Sequence, residues 1–290
     1  MLAYENGKYY LYSTGQGISQ MTSADRKHWT LCREGVLKNL EIPAWTHDSV
    51  PGFHTHIWAP DVIRYRNKWY LAYSCSTFGK NTSAIGLLSN TSLANMNGWK
   101  DEGCILASEG KRDNWNAIDP NFVIDDKGNP WMTWGSFWDG IQLVKLDKKT
   151  MHVKKGAKPQ TIARRHAFGD ASAELNPTSK FAGTNAIEAP FIMKHGDYYY
   201  LFVSWDYCCR GIKSNYRVAV GRSKNVAGPY LDKNGKDMRN GGGTLILEGD
   251  KKEFEAMGHC SAYSFPDGDF FFCHGSVSYT HLTLPTSDLV

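Results

Sequence analysis

The stretch Asn67-Lys68-Trp69-Tyr70-Leu71-Ala72-Tyr73 places a turn directly before a short aromatic and apolar run. The same pattern occurs four more times, at Asn6–Tyr12, Gly128–Trp134, Gly196–Phe202 and Gly268–Phe272. The turn residues at positions 7, 67, 128, 196 and 268 are 60, 61, 68 and 72 residues apart. A repeat of that length, filled with short strands, is typical of a β-propeller in which each repeat forms one blade. The sequence therefore predicts an all-β, five-bladed β-propeller.

The first and last predicted blades are incomplete. The blades are expected at residues 1–37, about 57–108, about 117–165, about 186–248 and from about 257 onward. Polar connections at 38–57 and 166–185 are long enough to shape a binding face. We expect residues 1–276 to form a single propeller catalytic domain that is truncated at its N-terminus.

The C-terminal segment 277–290 has a different origin in our interpretation. Its stretch Val277–Thr286 matches one translated reading frame of a common sequencing adapter. We therefore expect native sequence to end near Gly275 or Ser276, and the following residues to be non-native. The natural alternative is a Thr-rich terminus.

Composition excludes several classes of function. The chain has 290 residues, of which 41% are apolar and 13% aromatic, and its 33 basic and 29 acidic residues give a net charge of +4. The basic residues are scattered, so no nucleic-acid partner is predicted. No run approaches the roughly 20 apolar residues of a membrane span. No oligomerisation signal is visible, so a monomer is expected.

The seven cysteines show no CxxC pair or zinc-binding spacing. Most of them are expected to be buried as small hydrophobic side chains. Cys208 and Cys209 are adjacent, and a disulfide between neighbours would strain the local backbone. Free thiols are therefore the favoured interpretation of this pair, with a vicinal disulfide as the alternative.

Three related acidic motifs open successive blades: Trp58-Ala59-Pro60-Asp61, Asn116-Ala117-Ile118-Asp119-Pro120 and Ala186-Ile187-Glu188-Ala189-Pro190. The first strand of a propeller blade lines the central channel, so these carboxylates are expected to converge. Inverting glycoside cleavage uses two carboxyl groups roughly 6.5–9.5 Å apart. The competing interpretation is that each acid caps a turn before a Pro-containing strand, but its repetition at blade period favours a site.

Longer stretches carry a more specific resemblance. They are Tyr9–Gly15, Trp58–Asp61, Phe78–Gly86, Trp115–Pro120, Gly135–Trp138, Ile187–Phe191, Gly196–Phe202, Cys208–Arg210, Val220–Lys224 and Gly258-His259. In order and spacing over about residues 5–275, the chain resembles the endo-α-1,5-L-arabinanases of glycoside hydrolase family 43. That resemblance implies an inverting hydrolase on a five-bladed propeller, with arabinan or arabino-oligosaccharides as substrate.

The resemblance also implies roles for individual residues. Glu188 matches the general acid, and Asp119 matches the carboxylate that orients this acid and raises its pKa. His259 matches a histidine that binds a metal, usually Ca²⁺, although a lone His at a strand start is more often a hydrogen-bonded core residue. The substrate-binding positions implied are Trp58, Asp61, Phe78, Asn116, Ser136, Trp138 and Arg210. For Trp138, core packing is an equally good interpretation.

One catalytic group is not in the chain. The general base of the family is an Asp in a His-Asp-Pro motif of the first blade, which the alignment puts about two positions upstream of Met1. Loss of a general base typically costs about 10²–10⁴-fold in rate. We therefore expect the chain as it stands to be nearly inactive and poorly stable, because the incomplete last blade leaves sheet edges unpaired.

Two alternatives to an endo-arabinanase stay open at this point. An exo-acting α-L-arabinofuranosidase or β-xylosidase of the same family would share the scaffold, and a non-catalytic propeller that binds arabinan would also fit a missing base. A polymer substrate favours an extracellular or periplasmic location for the parent protein, but the chain itself carries no signal that would decide its compartment.

Overall fold

The computed structural model describes residues 1–32, 35–37, 42–167 and 185–277. Most of the predicted loop at 166–185 lies outside these residues, and so does the predicted non-native segment after Val277. In the described part the chain is all-β apart from short helical turns. No helix there is both long and apolar enough to cross a membrane.

The chain divides into two compact units. The first comprises Met1–Glu109 with Ala117–Pro120, and its described part contains two antiparallel sheets. One sheet has the strand order β1-β2-β4-β5 and the other the order β3-β6-β7-β8-β9. Their strands are β1 (Leu2–Glu5), β2 (Lys8–Ser13), β3 (Gly15–Gln16), β4 (Ser19–Ser23), β5 (Thr30–Leu31), β6 (His56–Tyr65), β7 (Lys68–Ser76), β8 (Ser83–Asn90) and β9 (Lys100–Ser108).

The second unit comprises Gly110–Asn116 and, within the described residues, 121–277. Its described part contains three antiparallel sheets with the orders β10-β11-β12-β13, β14-β15-β16-β17 and β18-β19. Their strands are β10 (Asn121–Ile124), β11 (Pro130–Trp134), β12 (Ile141–Lys145), β13 (Gln160–Ala163), β14 (Ile187–His195), β15 (Tyr198–Trp205), β16 (Arg217–Ser223), β17 (Thr244–Glu248), β18 (Phe254–Phe265) and β19 (Gly268–Val277).

These sheets are the blades that the hairpin repeat predicts, and the all-β propeller class is confirmed. The first hairpin shows why the turn residues are informative. Glu5 pairs with Lys8, so Asn6 and Gly7 form a two-residue loop in which both residues have positive φ, 51° and 81°. That is the geometry of a type I′ turn, which joins twisted antiparallel strands without splaying them and favours Asn-Gly.

Several short elements were not expected from the sequence. Leu2–Glu5 forms the strand β1, which pairs with β2, and the polar connection at 38–57 contains the short helix α1 (Trp45–Ser49). Within the described residues the last sheet has two strands, while β5 at the edge of the first sheet has only two residues.

Each unit has its own apolar core. Some strands are buried on both faces, as in β8, where all eight residues are buried. The core of the first unit includes Tyr12, Leu71 and Tyr73, each fully buried, and that of the second includes Leu201 and Tyr230. Continuous apolar and small residues replace strict alternation in such strands because neither face meets water.

Glu5 at the end of β1 is a buried carboxylate, 6% exposed. Trp69 Nε1 donates to its Oε1 at 2.6 Å, while Ser92 Oγ and the Leu93 backbone N–H donate to its Oε2 at 2.9 and 2.8 Å. Burial alone would raise the pKa of Glu5, but these donors outweigh it and hold the pKa below its usual value. The charged form of Glu5 therefore ties β1 to β7 and to the turn after β8.

Replacing Glu5 with Gln is expected to reduce the free energy of unfolding at neutral pH by about 1–3 kcal/mol. The indole and the backbone N–H can only donate, so one of them must face the amide NH₂ of Gln. Because the folded pKa of Glu5 is depressed, its contribution is present above the unfolded pKa of about 4.3 and is lost as pH falls through the folded value. Thermal unfolding from pH 3 to 8 measures this. The prediction would be contradicted if Glu5→Gln lost the same stability at pH 3 as at pH 8. It would also be contradicted if Glu253→Gln, the same change at an exposed position, lost as much.

Candidate active site

A residue with left-handed backbone conformation recurs within or just before the first long strand of four sheets. Ala59, Asp119, Ala189 and His259 have φ of 43°, 58°, 51° and 49°. The ladder shifts register between Trp58 and Asp61, between Glu188 and Phe191, and between Gly258 and Ser261. Bulges of this kind bend a strand and re-aim its side chains, and they occur often beside active sites. The left-handed residue is therefore common to the three acidic motifs and to Gly258-His259, and a register shift accompanies it in β6, β14 and β18.

Side-chain hydroxyl groups hold three of these positions. The backbone N–H of Ala59 donates to Thr14 Oγ1 at 3.0 Å, and that of Asp119 donates to Ser74 Oγ at 3.1 Å. The His259 N–H donates to Ser204 Oγ at 2.8 Å. A bulge removes a residue from the ladder, so its N–H needs another acceptor. Each hydroxyl comes from an earlier part of the chain and supplies that acceptor: Ser74 lies on β7, Ser204 on β15, and Thr14 between β2 and β3.

Glu188 is partly buried in the second unit, and its carboxylate is held by two hydroxyl groups. Ser136 Oγ donates to Oε2 at 2.7 Å and Tyr216 OH donates to Oε1 at 2.7 Å. Cys208 Sγ lies 3.8 Å from Oε1, within reach of a weak S–H hydrogen bond. Ser136 and Tyr216 are themselves only 3% and 5% exposed. The carboxylate is therefore fixed at both oxygens by groups that have little freedom to move.

The pKa of Glu188 is raised above its usual value because burial disfavours the charged carboxylate. The hydrogen bonds from Tyr216, Ser136 and Cys208 oppose this shift but do not cancel it. A carboxyl group that stays protonated towards neutral pH can donate a proton. The surroundings of Glu188 are therefore those of a general acid.

The main chain reinforces this arrangement. Ser136 and Glu188 form an isolated antiparallel bridge, and the Phe137 N–H donates to the carbonyl of Ile187 at 2.8 Å. Ser204 lies opposite Glu188 on β15 and is the same residue that accepts from the His259 N–H. The segment before β12 therefore supports the acid through Ser136 and Phe137. On β15, Ser204 lies opposite the acid and also holds the backbone of β18 at His259.

The segment after β15, whose Cys208 lies beside Glu188, also carries Arg210. Its guanidinium carbon lies 3.7 Å from the centre of the Tyr207 ring, and Tyr207 lies 5.8 Å from Phe137. Arg210 is exposed, as a substrate contact requires. Asp206 anchors the start of this segment through Arg165 and Arg217, at 3.2 and 2.8 Å.

Trp138 and Asn116 are buried, at 7% and 4% exposure. The Trp138 carbonyl accepts a hydrogen bond from Asn185 Nδ2. A buried indole offers little ring surface to a sugar, so the position of Trp138 favours the packing interpretation. The binding roles of both residues remain predictions.

In the first unit, Trp58 and Phe78 form an edge-to-face pair with ring centres 6.3 Å apart. Phe78 is 85% exposed, which is unusual for so large an apolar side chain. Trp58 is partly exposed, and its Nε1 donates to His56 Nδ1 at 3.1 Å. Two accessible aromatic faces of this kind suit stacking on a sugar ring.

Asp61 and Asp119 also lie in the first unit and are buried, at 2% and 8% exposure. Asp61 directly follows the bulge of β6 and pairs with Ala72 on β7. Asp119 occupies the left-handed position itself, where Asp is tolerated better than most side chains. Asp61 therefore lies beside a bulge, and Asp119 lies in a left-handed turn two residues before β10.

His259 faces His274, with ring centres 5.8 Å apart. Burial, and then the neighbouring His274, lower the pKa of His259 to about 3, so its imidazole is neutral, the form that binds metals. Ca²⁺ prefers about six to eight oxygen ligands. The described residues contain no group of three or more His, Cys, Asp or Glu side chains able to hold a metal. They supply no such cluster of carboxylates for Ca²⁺, and calcium stays a prediction from the resemblance.

The model of glycosyl hydrolases family 43 matches residues 1–287. The chain belongs to this family. Two curated relatives are the extracellular exo-α-(1→5)-L-arabinofuranosidase of Cellvibrio japonicus and the extracellular endo-α-(1→5)-L-arabinanase of Bacillus subtilis. The first is 42% identical and aligns over 93% of this chain and 76% of its own length; the second is 43% identical over 84% and 70%.

Solved structures agree with this membership of family 43. An exo-1,5-α-L-arabinanase from a bovine ruminal metagenomic library is 52% identical, with a TM-score of 0.85 over 95% of this chain and 86% of that chain. The Cellvibrio cellulosa α-L-arabinanase complexed with arabinohexaose is 40% identical, with a TM-score of 0.85 over 96% and 86%. The predicted family is confirmed, whereas the roles assigned to single residues stay predictions.

Two groups on Glu188 were missed by the sequence analysis. Tyr216 lies 28 residues from Glu188 and Cys208 lies 20 residues away. Tyr216 stands in no motif, and its contact depends on how β14, β15 and β16 are aligned. Cys208 did belong to a matching stretch, but nothing in the sequence indicated that its sulfur reaches the acid.

Proposed function

We propose that this protein hydrolyses α-1,5-L-arabinofuranosidic bonds in arabinan, acting within the chain and with inversion at the anomeric carbon. The observation that supports it most directly is the environment of Glu188. A partly buried carboxyl group with a raised pKa, oriented by Ser136 and Tyr216, has the properties that a general acid needs.

In the proposed reaction the Glu188 carboxyl donates its proton to the glycosidic oxygen as the bond to the anomeric carbon breaks. Ser136 and Tyr216 keep the carboxyl group oriented. By donating hydrogen bonds to its two oxygens, they also stabilise the negative charge that develops on Glu188 as the proton leaves. Asp119 is proposed to orient the acid, on the resemblance alone. Inversion also needs a base that activates water, and we propose that this is the Asp expected upstream of Met1.

Substrate binding is proposed for the exposed aromatic pair Trp58 and Phe78. Both rings have accessible surface, and a furanose ring presents C–H groups that pack on aromatic faces. Arg210, stacked on Tyr207, is a further contact for sugar hydroxyl groups. The names of the relatives support the substrate class. Two of them are an exo-α-(1→5)-L-arabinofuranosidase and an endo-α-(1→5)-L-arabinanase, and an α-L-arabinanase structure is a complex with arabinohexaose.

A second candidate is exo action on the same linkage. It is favoured by two of the similar proteins, the Cellvibrio japonicus arabinofuranosidase and the ruminal exo-arabinanase. The two modes leave different products on linear arabinan. Endo cleavage lowers the viscosity early and releases oligosaccharides of mixed length, whereas exo cleavage releases one product size from the start.

The experiment compares the chain as it stands with an extended protein in which a first strand containing His-Asp-Pro precedes Met1. On linear α-1,5-arabinan the extended protein is expected to be about 10²–10⁴-fold faster, the usual contribution of a general base. Equal activity of the two proteins would contradict the proposed base. Binding of arabinan without hydrolysis by either protein would favour the non-catalytic propeller and overturn the proposal.

A further inference from the structure

Two thiols lie in direct contact beside Glu188. Cys208 and Cys209 are neighbours in the segment after β15, and their sulfur atoms are 2.8 Å apart. Cys209 is exposed and has a φ of 60°, while Cys208 is partly buried. Cys208 Sγ is also 3.8 Å from Glu188 Oε1, the oxygen that accepts from Tyr216. One sulfur of the pair therefore meets solvent and the other meets the proposed acid.

The other cysteines do not share these properties. Burial raises the pKa of the Cys32, Cys75, Cys104, Cys260 and Cys273 thiols. A raised pKa lowers the thiolate fraction, and the thiolate is the reactive form. None of these five thiols is classed as exposed, whereas Cys209 is. A thiol-reactive reagent should therefore meet Cys209 first.

We propose that Cys208 and Cys209 form a reversible redox site that takes low-molecular-weight disulfides, and that its oxidation weakens the proton donation by Glu188. The second half of this inference rests on the proposed function. The thiolate of Cys209 attacks one sulfur of the small disulfide and releases one thiolate. The thiolate of Cys208 then attacks Cys209 Sγ, which forms the Cys208–Cys209 bond and releases the second small thiol. The small disulfide is reduced to two thiols as the protein pair is oxidised.

Adjacency makes such a bond easy to reverse. Consecutive Cα atoms are about 3.8 Å apart, below the usual range of about 4.4–6.8 Å for disulfide-bonded residues. Disulfides outside the usual geometry are reduced more readily, which suits a regulatory bond better than a structural one. Its formation removes the S–H of Cys208, so Glu188 loses one of its three donors.

The test incubates the protein with oxidised glutathione and then counts thiols and measures intact mass. We expect the loss of two thiols without a retained glutathione, full reversal by dithiothreitol, and a cross-link that maps to Cys208–Cys209. Cys208→Ser should instead keep one glutathione on Cys209, because no neighbouring thiol can displace it. A thiol content that does not change with oxidised glutathione would overturn the site. So would a loss of thiols that persists in Cys209→Ser but disappears in the control Cys32→Ser.

The effect on Glu188 is measured separately in the extended protein. Oxidation should lower arabinan hydrolysis by roughly three- to tenfold, in keeping with one weak donor to a carboxylate. Cys209→Ser should keep its activity and be insensitive to oxidised glutathione. Oxidation that occurs without a change in activity would overturn the coupling to Glu188. Because thiol counts and mass need no catalysis, they test the redox site even if the proposed hydrolysis fails.

Discussion

Replacing Glu188 with Gln is expected to lower kcat on linear arabinan by about 10²–10⁴-fold in the extended protein. The amide cannot donate a proton to the leaving oxygen, but it has nearly the same shape. Ser136 and Tyr216 can both adapt, because a hydroxyl group accepts as well as donates. The loss should therefore appear in kcat, with little change in KM, and thermal unfolding should show an intact fold.

A substrate with a good leaving group separates acid catalysis from other roles of Glu188. A 4-nitrophenyl arabino-oligosaccharide releases a phenolate that needs little protonation, so Glu188→Gln should be impaired far less on it than on arabinan. The control is Glu248→Gln, the same change at an exposed ion pair with Arg217. Equal losses on both substrates would mean that Glu188 is not the acid.

The raised pKa of Glu188 also links stability to pH. Because its folded pKa lies above the unfolded value, the native state is favoured below the unfolded pKa, and that advantage is lost as pH rises through the folded pKa. Glu188→Gln, which never becomes charged, should thus gain stability relative to the parent protein at alkaline pH and lose that advantage in acid. The burial that raises the pKa of Glu188 therefore lowers the free energy of unfolding of the parent protein at alkaline pH.

Gly258→Ala is expected to lower activity at least as much as Tyr216→Phe, for which we expect a loss of about 10- to 100-fold. A Cβ at position 258 would overlap Cδ1 of the Tyr216 ring, so the ring must move away from Glu188. Removing only the hydroxyl forfeits a hydrogen bond to the carboxylate that forms as Glu188 gives up its proton, about 1.5–3 kcal/mol, which corresponds to that loss. The kcat values of both variants on arabinan measure the effect.

The pH profile distinguishes positioning of the acid from general damage. The Tyr216 hydroxyl lowers the pKa of Glu188, so Tyr216→Phe should move the alkaline limb of kcat to higher pH. The control is Tyr230→Phe, since the buried Tyr230 hydroxyl donates instead to the Val226 carbonyl at 2.8 Å. A shift in both variants, or in neither, would contradict a specific role for Tyr216. Gly258→Ala also overpacks the site at about 1–3 kcal/mol, so its unfolding is measured alongside.

The sequence by itself determined the repeated hairpins and the acidic motifs that lie in or just before strands. Asn6-Gly7 and its later counterparts predict hairpins because turn geometry depends on the turn residues themselves. The acidic motifs predict strand starts for the same local reason. Glu188 is the second residue of β14 and Asp119 lies two residues before β10, whereas Asp61 lies in the middle of β6. The strand Leu2–Glu5 and the helix Trp45–Ser49 escaped because neither is long enough to show a clear period.

Only the tertiary structure decided what surrounds the acid. Ser136 and Tyr216 are 52 and 28 residues from Glu188, and they reach it because of strand register and a bulge that turns its side chain. Ser74 and Ser204 look like ordinary strand residues until they are seen to accept the N–H groups of Asp119 and His259. Backbone propensity is local, but the pKa of a carboxyl group depends on the burial and donors that distant segments bring to it.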